Sequence, residues 1–160
     1  MVLAFDLVAP IQNPWGSPRN FSIQTFDVYV DTDPGTDNGE RALIDGRNAS
    51  LAGGSGWEFG ITVEGWEPAI YLAGAEGTVE ETRPSFDVAV FGDQGPVVVR
   101  IPLALLGVGD PSTWAYSAMV LSQEGFPHRE FAGCVTSRRP PSSSGWAVPP
   151  TTPTTPVSST

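Results

Sequence analysis

The chain has 160 residues, of which 40% are hydrophobic and 10% aromatic, enough for one domain with a real core and too little for two. Its net charge is -10, from 18 acidic residues against 8 basic ones, and every basic residue is Arg. That balance excludes an electrostatic footprint for nucleic acid or anionic lipid, no apolar run approaches the roughly 20 residues of a transmembrane segment, and the single Cys134 excludes an internal disulfide.

Residues 1–8 lack a basic leading region and a small-residue cleavage site, so they do not read as a signal peptide. They read as a strand that starts at once, with Leu3, Phe5 and Leu7 on one face, as expected of a fragment of something longer. Residues 13–20 form a loop, because two prolines and a glycine do not fit a ladder. Residues 21–30 then alternate, with Phe26, Val28 and Val30 on one face and Asp27, Tyr29 and Asp31 on the other. Loops follow at 33–39 and 53–56. Residues 57–66 alternate again: Trp57, Phe59, Ile61 and Val63 share a core side, and Glu58, Thr62, Glu64 and Trp66 lie opposite.

Further strands are expected at 69–73, 86–91, 97–101 and 114–122. Pro102 before Leu103-Ala104-Leu105-Leu106, with Gly107 after it, predicts one helical turn. About eight short strands at roughly 8–12-residue spacing predict an all-β antiparallel sandwich. Composition then shifts to Pro, Ser and Thr. The domain is therefore expected over residues 1–136, with a linker or disordered tail over 137–160.

Catalysis finds little support. His128 is the only His, and no Ser motif surrounds it. Glu58 and Glu64 share a strand face, but six residues at ~3.3 Å each exceed the separation of a glycosidase pair. Both read as solvated charges, and the chain is expected not to be an enzyme. The acidic run from Asp31 to Glu40 suits calcium, which takes six to eight oxygens; Asp31, Asp33 and Asp37 are the candidate ligands. EF-hand spacing fails at Pro34-Gly35, and the same residues also suit a plain polar turn.

Sugars are held against flat aromatic faces while amides, carboxylates and Arg take their hydroxyls. Trp57 and Trp114 read as core. Trp15, in a Pro-rich loop, and Trp66, out of the core phase, are the faces expected to meet a sugar. Asn13, Arg47 and Asn48 are the loop groups expected to bond its hydroxyls.

Three long strings extend this reading: Asn13-Pro14-Trp15-Gly16-Ser17-Pro18, Phe21-Ser22-Ile23-Gln24, and Asp27 through Gly35. Together with Gly46-Arg47-Asn48-Ala49, Gly56-Trp57-Glu58 and the run from Trp114 to Phe126, they resemble the C-terminal DOMON-like domain of glucodextranase, also attached to type II pullulanases and related amylolytic enzymes. The resemblance covers roughly residues 1–130. It implies a β-sandwich like those of carbohydrate-binding modules, without catalytic residues, outside the cell or at its surface. Its partners would be an α-glucan or cell-surface polysaccharide and a neighbouring glycoside hydrolase domain. The alternative it implies is a structural attachment domain that binds no glycan. Haem, bound in some DOMON relatives through Met or His, is not expected, since Met119 lies in an apolar strand. The family carries strands ahead of the position matching Val2, so the sandwich is expected to lack its N-terminal strands.

Overall fold

Short runs that alternate in hydrophobicity become strands because a period of two places every other side chain on one face. The computed structural model describes residues 1–36, 38–74, 77–107, 109–123 and 131–136, and among these nine strands form. They are β1 (Val2–Phe5), β2 (Gln24–Asp31), β3 (Phe59–Val63), β4 (Ala69–Ala73), β5 (Val79–Thr82), β6 (Asp87–Val90), β7 (Val97–Arg100), β8 (Ala115–Gln123) and β9 (Phe131–Thr136). Every pairing is antiparallel. One sheet has the order β1-β7-β6, the other β5-β4-β3-β2-β8-β9. The expected all-β sandwich is the fold observed. No helix among the described residues is long and apolar enough to cross a membrane.

Between the sheets lies the main core. Val28 of β2 stands opposite Ile61 of β3 and Ala118 of β8, and this register aims Phe26, Val28, Val30, Ile61 and Val63 at Val97 and Val99 of β7. Phe5 of β1 stacks on Phe26 with ring centroids 4.4 Å apart. The predicted turn is a 3-10 helix at Leu103–Leu106, opened by Pro102 and stopped by Gly107 at φ 79. Two strands escape the pattern. β5 reads Val-Glu-Glu-Thr and is an exposed edge with no apolar face to announce it; β9 begins beyond the last expected strand.

The outward face of the large sheet departs from the sequence reading. Asp27, Tyr29 and Asp31 do point away from the main core, yet all three are buried. The chain from Glu40 to Trp57 folds back over them, closed by bridges between Glu40 and Trp57 and between Ala42 and Ser50. Under it sits a second apolar cluster that includes Tyr29, Leu43, Ile44, Trp57, Tyr71 and Met119. Trp57 is buried as expected, but not in phase with Phe59: it lies outside β3 and belongs to this second cluster. Its ring meets Tyr29 edge-on at 5.4 Å, and its Nε1–H donates to the Ala42 carbonyl at 2.9 Å. Gly56 makes the closure possible, since a β-carbon there would collide with the Asn38 carbonyl.

The expected tail over 137–160 lies outside the described residues, as do Asp37 and His128.

Candidate functional site

An aromatic corner forms where the loop before β2 meets the turn after β3. Asn13 shapes that loop: its Oδ1 accepts from the Ser17 amide at 2.7 Å and its Nδ2 donates to the Ser17 carbonyl at 3.0 Å. The turn between them sets Trp15 outward. Ser17 in turn is buried, and its hydroxyl donates to the Phe21 carbonyl. Gly65 lets the loop dock, because a β-carbon there would run into that same carbonyl and into Ser17. The Arg19 amide then donates to the Gly65 carbonyl at 3.2 Å, and the Arg19 guanidinium to the Trp66 carbonyl. The result brings together two residues fifty-one positions apart: the Trp15 and Trp66 rings stack with centroids 6.4 Å apart and planes 25° from parallel. Trp15 is 37% exposed and Trp66 half-buried.

Arg47 is placed differently from the sequence expectation. Its side chain is only 5% exposed and its Nε lies 2.6 Å from Oδ2 of Asp27, which is fully buried. A second bond, Nη2 to Oδ1 at 3.1 Å, makes the pair bidentate, and the Thr62 hydroxyl donates to the same Oδ1 at 2.9 Å. Burial alone would lower the guanidinium pKa. The hydrogen bond and charge of Asp27 more than offset this and hold it above its ordinary value. Arg47 therefore fastens the covering loop to the sheet rather than reaching out from it. Asn48 occupies the left-handed region at φ 49 in the exposed turn beside it. Of the five sugar-contact candidates, the structure gathers Trp15, Trp66 and Asn13 in one corner and sets Arg47 and Asn48 on the covering loop.

Where that loop stops covering the sheet, a cavity of about 290 Å³ opens. Thr62, Ala69 and Tyr71 contribute from the sheet, Arg47 and Asp45 from the loop, and Glu81 and Arg83 from β5 and its exit. Arg83 bridges two carboxylates, Glu67 at 2.8 Å and Glu81. Glu67 and Arg83 also line a shallower depression together with Arg19 and Phe86. The sequence reading missed Arg19, Glu67, Tyr71 and Arg83. The available signal was the run Glu80-Glu81-Thr82-Arg83, which sets the opposite charges of Glu81 and Arg83 two positions apart.

At the far end of β2 the acidic loop makes a third feature. Carboxylate oxygens of Asp31, Asp33 and Glu58 lie within 4.8 Å of one another. Glu58 was read as a solvated outer-face charge; instead it is half-buried, and its Oε2 accepts from the Thr32 amide at 2.7 Å and hydroxyl at 3.1 Å. Its Oε1 is buried and accepts no hydrogen bond among the described residues. Asp33 also accepts from the Asn38 amide group at 2.8 Å, and its own N–H donates to Asp31 at 3.2 Å, in the manner of a polar turn.

Two antiparallel sheets with a partly exposed aromatic pair and a polar cavity have the makings of a binding module. Over residues 1–147 the chain matches the family described as the C-terminal binding-module, SLH-like, of glucodextranase, and it belongs to that family. No curated protein matches the chain.

Proposed function

We propose that this domain is a noncatalytic accessory module that binds carbohydrate, an α-glucan or a cell-surface polysaccharide, beside an amylolytic glycoside hydrolase outside the cell. One observation carries the reading: the exposed Trp15 ring stacks on Trp66, beside Glu67 and the Arg19 guanidinium that donates to the Trp66 carbonyl. The exposed ring supplies the apolar platform for sugar C–H bonds, and the neighbouring guanidinium and carboxylate supply a donor and an acceptor for hydroxyls. Family membership supports a module that binds for its enzyme; the DOMON-like kinship and attachment to pullulanases belong to this proposal.

Co-sedimentation with insoluble α-glucan and with purified cell-wall polysaccharide tests it. The chain is expected in the pellet with one of them and in the supernatant after Trp15→Ala. A chain that stays soluble with both favours the other reading, a structural attachment domain without a glycan site.

A further inference from the structure

We propose that the cavity on the outward face of the six-stranded sheet is a second sugar subsite, continuous with the Trp15–Trp66 face, which accepts an uncharged sugar residue and refuses an anionic one. The proposal deepens the glycan-binding reading and rests on it.

Continuity comes first. Trp66 and Glu67 are chain neighbours, with Cα atoms about 3.8 Å apart. Glu67 and Arg83 line both the shallow depression next to Arg19 and the cavity itself. Arg19 is bonded to the Trp66 carbonyl. A chain lying on the aromatic pair thus meets a polar path that leads into the cavity.

The lining matches hydroxyls. A sugar hydroxyl donates and accepts, and the cavity, with the Asp27-bound Arg47 in its wall, offers a guanidinium donor from Arg83 beside carboxylate acceptors from Asp45, Glu64, Glu67 and Glu81. Tyr71, Ala69 and Val79 add apolar surface for the ring. These groups are held in advance: Asp27 fixes Arg47 from below, and Glu67 and Glu81 hold Arg83 between them. Groups already in place lose little freedom when a ligand arrives. The volume of about 290 Å³ falls just short of the ~300–1,000 Å³ typical of small-molecule sites, which suits a single sugar unit rather than a bundle of chains.

Charge decides between ligand classes. Four carboxylates face two guanidinium groups, of which Arg47 is already matched by the buried Asp27 and Arg83 by Glu67 and Glu81, so negative charge is in excess. A uronate, phosphate or pyruvyl group would enter against this excess, whereas a neutral glucose residue meets no such penalty.

The test titrates the chain with neutral gluco-oligosaccharides from disaccharide to hexasaccharide and with uronic-acid oligomers of the same lengths. Affinity for the neutral series is expected to rise roughly tenfold or more with length, and the uronic series to show no rise. Val79→Arg, at an exposed edge position facing the cavity, should abolish the rise and leave disaccharide binding and the melting temperature unchanged. Asp45→Arg, on the exposed loop, should do the same should the first variant fold poorly. A flat neutral series, or a rise that survives both variants, overturns the second subsite while Trp15-dependent binding stands. A stronger rise with the uronic series overturns it too. Absence of binding at every length overturns the glycan reading as a whole.

Discussion

The two faces of the six-stranded sheet are both buried, but by different means. The inner face packs Phe26, Val28 and Ile61 against a second sheet, so apolar side chains recur at every other position. The outer face packs Tyr29, Trp57 and Met119 under an irregular loop, and it mixes them with Asp27, Thr62 and Arg47. Sheet against sheet demands periodicity because both partners are periodic. A loop against a sheet does not; it needs only a few anchors, each satisfied. Here the anchors are the Trp57 ring, bonded through Nε1 to Ala42, and the bidentate pair of Arg47 with Asp27. The covering loop also stops short, and the cavity is what it leaves open.

If the outer face is a true second core, removing its anchors has the largest effect on stability. Arg47→Ala leaves a fully buried carboxylate without its countercharge, and should lower unfolding free energy by about 3–5 kcal/mol in urea titration. Replacing both partners, Asp27→Leu with Arg47→Met, should lose clearly less than the single change, because no buried charge remains. Trp57→Ala should lose ~3–5 kcal/mol as a core truncation, comparable to a large inner-face deletion. Losses below about 1 kcal/mol for Arg47→Ala and Trp57→Ala would break the comparison and make the loop a loose cover.

The same contrast sets how much was legible in the sequence. The strands of the inner core announce themselves: Ala69–Ala73 was placed residue for residue, and Phe26, Val28 and Val30 were assigned to the correct face. Alternation assigns Asp27 to the face away from the core and suggests a solvated Glu58, because it says which way a side chain points and not what lies on that side. β5 stayed hidden because an edge strand exposed on both faces carries no hydrophobic signal. The aromatic corner was half legible. Trp15 and Trp66 were singled out by being out of place, one in a loop and one out of phase. Their meeting depends on Gly65 admitting the loop, a close approach that no local pattern encodes.

Trp15 belongs to neither apolar cluster, and it therefore separates binding from stability. Trp15→Ala should reduce glycan affinity by roughly 1–3 kcal/mol in calorimetric titration and leave the urea midpoint unchanged. A variant that loses stability without losing affinity would show that the ring is a packing residue of the corner.

The acidic corner lies at the end of the covered face, where Asp31 closes β2 and Glu58 enters β3. Oxygens alone, three of them carboxylate and one without a hydrogen-bond donor, suit calcium better than a transition metal. Calcium at about ten times its dissociation constant should then stabilise the fold by ~1.4 kcal/mol, read as a raised melting temperature that a chelator reverses. Glu58→Gln should blunt the response. Identical melting curves with calcium and with chelator would leave Asp31 and Asp33 as the polar turn their hydrogen bonds already describe.

The smallest effect sharpens the comparison from outside. The small sheet also has an outward face, but nothing among the described residues folds over its ion pair: Asp87 and Arg100 stand opposite each other on β6 and β7, 2.9 Å apart, with side chains 61% and 53% exposed. Water already solvates both partners, so losing one leaves no buried charge behind. Asp87→Ala should change stability by only about 0.2–1 kcal/mol, and even that difference should fade as salt is raised. Arg47→Ala, the same kind of pair beneath a loop, should keep its full penalty in high salt, because ions do not reach a side chain 5% exposed. Urea titrations of both variants at low and high salt measure the contrast directly. A strong salt dependence for Arg47→Ala would mean that water reaches the pair and that the covering loop opens in solution.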